Sequence, residues 1–290
     1  MLSYLDIGSL RILDTSAAIQ YDLQKIDGLV GLPNIRGTAF DRPENDGGVE
    51  PYAQYLSPRI VVIEGEAWPT VQTVAGAFTL YRALLTILES ADSTDTLVKW
   101  KEVGGTIDKQ FTARLTGEVL TSLTDGQAMI PFHIQLRASD PRHYSQTLKS
   151  SSVGQPSASG GMPLPVIFPI PFGIGATGGS LTATNAGNTA SWPTITLLGP
   201  CNGPVITVGS STLYFDTLNL GAGQTLTITT NPLGRSVTVA GVNSIGTMRF
   251  ADSVFASLPV GATLVSFYGL GGGTDANTLM TVSFRDAYTS

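Results

Sequence analysis

Along most of this chain, apolar and polar residues alternate over short runs, and that period of two predicts half-buried strands. The clearest run is Ala128 to Ser139. In it Ile130, Phe132, Ile134, Leu136 and Ala138 share one face, while His133, Gln135 and Arg137 share the other. The run stops at Asp140-Pro141-Arg142, a turn sequence that ends a strand because proline cannot donate to a ladder. Strands are also expected within Ile7–Val30, at Arg59–Gly65, Asp95–Glu102 and Gln110–Leu120. Between Phe40 and Val49 the Pro, Asn-Asp and Gly-Gly residues predict a loop. One segment has a helical period instead. From Ala75 to Ser90, Phe78, Tyr81, Leu84, Leu85 and Leu88 recur every three or four residues and predict an amphipathic helix.

From Ser180 onward every signal is β. Strands of apolar residues alternating with Thr or Ser are expected at Thr194–Leu198, Val205–Val208, Thr212–Phe215, Thr225–Thr229, Ser236–Val239, Ala262–Phe267 and Leu279–Phe284. Gly, Asn and Pro separate them at the spacing of a β-sandwich. The expected class is therefore mainly β. A strand-rich domain with one flanking helix spans 1–148, a Ser/Gly/Pro-rich linker and extended arm spans 149–179, and a β-sandwich spans 180–290.

Charge changes at the same boundary. Residues 1–150 hold 13 basic and 18 acidic residues, whereas 151–290 hold 3 and 4. The formal net charge is -6. Neither half carries the basic stripe that sequence-independent DNA binding needs. The apolar Met162–Ile174 stretch is too short and too proline-broken to span a bilayer, so no membrane insertion is expected. No signal peptide is visible, and synthesis in the cytoplasm is expected.

Few residues offer chemistry. The single Cys201 excludes an internal disulfide and a multi-cysteine metal site. His133 and His143 are read as structural or solvated. The acids Asp41, Glu44 and Asp46 lack calcium-loop spacing. Gly173-Ile-Gly175-Ala-Thr-Gly178 matches a dinucleotide fingerprint in letters only, because no helix is expected after it. No catalytic residue, cofactor or metal ligand is assigned, and an enzyme is not expected.

The junction Phe132–Arg142 resembles that of the distal tail protein family of long-tailed, non-contractile bacteriophages. So do Asn185–Thr196, Gly199-Pro200, Leu220–Thr229 and the closing Val282–Tyr288. The resemblance covers most of the chain. It implies a β-sandwich-plus-helix N-terminal domain of tail-tube type that closes into a ring, a hexamer, at the distal end of the tail. It also implies a galectin-like C-terminal sandwich outside that ring. The implied partners are other copies of the chain, the tail tube protein, tail-tip proteins and the tape measure protein, with DNA passing through the pore unbound. His133, Gln135 and Arg137 then become candidate ring contacts, and Asp140, Pro141 and Arg142 the domain-junction turn. The alternative is a cell-wall carbohydrate-binding tail protein, with Trp192, Tyr214 and Tyr268 as candidate stacking residues.

Overall fold

The computed structural model describes residues 2–14, 21–37, 40–41, 46, 48–49, 55–69, 73–93, 95–116, 120–121, 129–155, 178–271 and 276–290. The chain divides into two units: Met1–Thr147 together with Tyr288–Ser290, and Leu148–Ala287. The placement of the last three residues in the first unit departs from the expected division, which ran the sandwich to residue 290.

The strands of the first unit are β1 (Leu2–Ile7), β2 (Leu10–Asp14), β3 (Tyr21–Asp27), β4 (Arg59–Ala67), β5 (Thr96–Glu102), β6 (Lys109–Leu115), β7 (Ile130–Ala138) and β8 (His143–Ser145). They pair antiparallel in the order β2-β1-β5-β6-β7-β4-β3, and β8 adds to β6. Alternation decides which face is covered. Ile130, Phe132, Ile134, Leu136 and Ala138 of β7 are buried, as are Val61 and Ile63 of β4 and Val98 and Trp100 of β5. These join one core. Short pieces also pair where a loop was expected: Phe40 faces Val49 and Asp41 faces Gly48 in a hairpin.

Helix α1 (Val74–Ser93) packs into that core through Leu84 and Leu88, with Leu80 against its margin. Thr73 caps it: its Oγ1 accepts the Gly76 N–H at 3.1 Å. The buried stripe is rotated from the expected one. Ala77 is buried, whereas Phe78 is exposed and Tyr81 only half-buried.

The second unit is built from β9 (Lys149–Gly154), β10 (Gly178–Asn185), β11 (Thr194–Leu198), β12 (Pro204–Val208), β13 (Ser211–Tyr214), β14 (Thr225–Thr229), β15 (Ser236–Val239), β16 (Gly261–Gly269) and β17 (Leu279–Phe284). One sheet runs β9-β17-β11-β14-β15 and the other β10-β16-β12-β13. Their inner faces share a core, with Ile195, Leu226, Met280 and Val282 from one sheet and Ile206, Leu213, Val265 and Phe267 from the other. Lys149–Gly154 was expected to open the linker; it is instead the edge strand β9, paired along β17. The apolar arm expected at 162–172 lies outside the described residues.

The outer face of the first of these sheets explains the missing charge. Ser150, Ser283, Thr194, Thr229 and Ser236 lie in register across its strands, and Ser152, Thr281, Thr196, Thr227 and Thr238 form the next row. Hydroxyls solvate this face in place of Lys and Glu.

Candidate functional site

On the polar face of β7, His133 and Gln135 are half-buried and Arg137 is exposed. His133 lies opposite Glu64 of β4, Gln135 opposite Val62 and Arg137 opposite Ile60. On the other side Arg137 faces Arg114 of β6. The candidate ring-contact residues therefore share one face with Ile60, Val62, Glu64 and Glu66. His133 Nε2 lies 4.0 Å from Glu64 Oε1. Arg137 is exposed, and Ile60 keeps 48% of its surface.

The turn that ends β7 is fixed by its own side chain. Asp140 Oδ1 accepts the Arg142 N–H at 3.1 Å, and Oδ2 accepts the Tyr144 hydroxyl at 2.6 Å. The Arg142 guanidinium lies 3.7 Å from the same carboxylate. Burial, and then the Asp140 charge, push the Tyr144 phenol far above its ordinary range.

Behind this turn sits the most demanding group in the unit. Arg59 is only 2% exposed. Its Nε donates to Pro141 O at 3.0 Å. Its Nη1 donates to Gly28 O at 2.8 Å, Leu29 O at 3.2 Å and Gly31 O at 3.0 Å, and its Nη2 to Thr289 O at 2.6 Å. Burial pulls the guanidinium down to about 10, so it stays a cation at neutral pH. It is held by carbonyl oxygens; among the described residues no carboxylate pairs with it. The fork geometry of arginine suits such divergent acceptors.

His143 is wholly buried beside it. Its Nε2 donates to Leu29 O at 3.0 Å, and its ring meets Trp100 and Phe111 edge-on at 5.1 Å each. Burial, then the Arg59 charge, depress it to about 3. An imidazole that is neutral at neutral pH and locked in an aromatic pocket has a structural role. Lys109 completes the arrangement: its Nζ donates to Ser290 O at 3.0 Å and lies 4.7 Å from the Trp100 ring and 5.7 Å from that of Tyr288. Arg59 and Lys109 thus clamp residues 288–290 onto the first unit.

In the second unit, Tyr214 and Tyr268 both lie opposite Val205, so they flank it on the outer face of β13-β12-β16. The Arg249 guanidinium sits 4.3 Å over the Tyr214 ring, held by Asp216 at 2.6 Å and Asp252 at 3.0 Å. Tyr268 stays 36% exposed, with Gly178 on its other side. Trp192 precedes β11 in the opposite sheet and does not join them. Cys201 is buried and its thiol pushed up to about 11, so it is inert. Gly178 opens a strand, so no helix N-terminus follows the glycine-rich letters. Among the described residues, no group of His, Cys, Asp and Glu could hold a metal ion, and no helix is long and apolar enough to cross a membrane.

No protein-family model matches the sequence, and no curated protein matches it. Solved structures do match the fold. The crystal structure of SPP1 Dit (gp 19.1), described as a paradigm of the hub adsorption apparatus in phages infecting Gram-positive bacteria, aligns with a TM-score of 0.65 at 13% identity and covers 98% of each chain. The phage P2 baseplate in its activated conformation with Ca aligns at 0.51 and 10% identity, covering 97% of each chain, and the same baseplate with Sr aligns at 0.51 and 11%. Such coverage takes in both units and their order along the chain. The chain has the fold of the Dit hub proteins.

Proposed function

We propose that this protein is a structural hub of a phage tail, with no enzymatic role. The first unit forms a homo-oligomeric ring, a hexamer, at the distal end of a long non-contractile tail. It joins the tail tube to the tail-tip proteins, and the tape measure protein and DNA pass through its pore. The supporting observation is the match to a hub protein over 98% of both chains. The physics is compatible. A cyclic ring needs one surface that receives a different surface of its neighbour, and the polar face of β7 presents the exposed Arg137. The acidic excess of residues 1–150 (13 basic against 18 acidic) suits a pore wall to which DNA must not adhere. Mass photometry with negative-stain imaging of the full chain tests this: closed rings are expected, and a persistent 30.4 kDa species, even beside tail partners, would sink the reading.

A second reading, host-glycan contact by a galectin-like second unit, is favoured by one observation. Tyr268 is exposed on a sheet face lined with hydroxyls. Of the aromatic candidates Trp192, Tyr214 and Tyr268, it is the one whose ring is available, since Arg249 already covers Tyr214.

A further inference from the structure

The outer face of β3-β4-β7-β6 carries two like-charge pairs set directly across strands. Asp22 of β3 faces Glu66 of β4, and Arg137 of β7 faces Arg114 of β6. Residues in register point to the same side, and like charges so placed destabilise the sheet that holds them. The pairs have opposite sign, yet they cannot neutralise each other. Glu66 lies six residues along β4 from Ile60, the residue opposite Arg137, a distance of about 20 Å at strand rise. That is more than twice the screening length of about 8 Å at physiological salt.

Local partners leave the imbalance in place. Arg114 pairs with Asp95 at 2.5 Å. Glu66 accepts the indole N–H of Trp68 at 3.0 Å. Among the described residues neither Asp22 nor Arg137 has an ion-pair partner. Midway, Lys25 pairs with Asp27 and faces Glu64, so the centre of the face carries both signs. Each charged end also exposes one large apolar side chain: Trp68, 38% exposed, at the acidic end, and Ile60, 48% exposed, at the basic end. Arginine and tryptophan are among the side chains enriched as interface anchors, and one of them stands at each end.

We infer that the acidic Asp22–Glu66 end of one copy docks on the basic Arg114–Arg137 end of a second copy of this chain. This rests on the ring reading above: each protomer offers its acidic end to one neighbour and its basic end to the other, a heterologous contact that can close. Strain from two like-charge pairs in the isolated protomer is relieved on assembly.

The inference sets two effects in opposition. Asp22→Lys and Arg137→Glu each turn a like-charge pair into an opposite-charge pair. Each variant should therefore melt at a higher temperature than wild type as a monomer, yet lose closed rings by mass photometry, or hold them only at lower salt. If wild type forms rings and both variants form them at the same concentration and salt, this assignment of the contact is wrong while the ring reading stands. If wild type itself stays monomeric, the ring reading fails and takes the contact with it. Circular dichroism of each variant establishes that folding is intact.

Discussion

Asp140 does two things with one carboxylate: it closes the turn onto the Arg142 amide and accepts the Tyr144 hydroxyl. Asp140→Ala should cost ~1–3 kcal/mol, combining a lost cap with a phenol left without its acceptor. Urea denaturation measures it, and an unchanged midpoint would refute the role. His143 makes a prediction in pH. Its folded value of about 3 lies below the ordinary 6.5, so its contribution is complete above pH ~6.5 and is lost progressively as pH falls towards 3. The ceiling is ~5 kcal/mol. His143→Phe keeps the aromatic packing, and Leu29 O still accepts from Arg59, so the acid limb of the stability profile should flatten. An equally steep limb in the variant would place the acid sensitivity elsewhere. The Asp-Pro turn was legible because its residue types are the signal. Arg59 was not: five backbone carbonyls hold it, and a carbonyl carries no letter in the sequence.

Among elements, strands with both an apolar and a polar face announced themselves, and Thr194–Leu198, Thr225–Thr229, Ser236–Val239 and Leu279–Phe284 have the expected bounds. β9 was missed because an edge strand of sequence KSSSVG has almost no apolar face to alternate: only Val153 packs on the core. Periodicity located the helix but not its rotation, since the facing sheet, and not the helix, decides which neighbouring apolar positions are covered. The loop from Gly28 to Gly31 depends on backbone shape. Gly28 has φ of +75°, and a Cβ there would clash with the backbone carbonyl of Ile60. Gly28→Ala should therefore displace the carbonyls that hold Arg59 and lower the urea midpoint by more than the ~1–2 kcal/mol of the dihedral alone. A loss no greater than that would mean the loop adapts without disturbing Arg59. Pairing across β4, β7 and β6 was equally invisible beforehand, because register sets which charges meet.

At the scale of the molecule, the two units differ in surface chemistry. Charge concentrates in the first, while the second shows rows of hydroxyls. If the glycan reading is right, full-length protein should bind a cell-wall glycan array and Tyr268→Ala should abolish the signal; binding that survives the substitution would place the site away from β16. The clamp on residues 288–290 has a consequence in time. These residues leave the ribosome only after Leu148–Ala287, a stretch of 140 residues (287 − 148 + 1). At about 5–20 residues per second that delay is roughly 7–28 s. Until then the Nη2 donor of Arg59 lacks Thr289, and Lys109 lacks Ser290. A nascent first unit is thus withheld from its finished form until the second has been made.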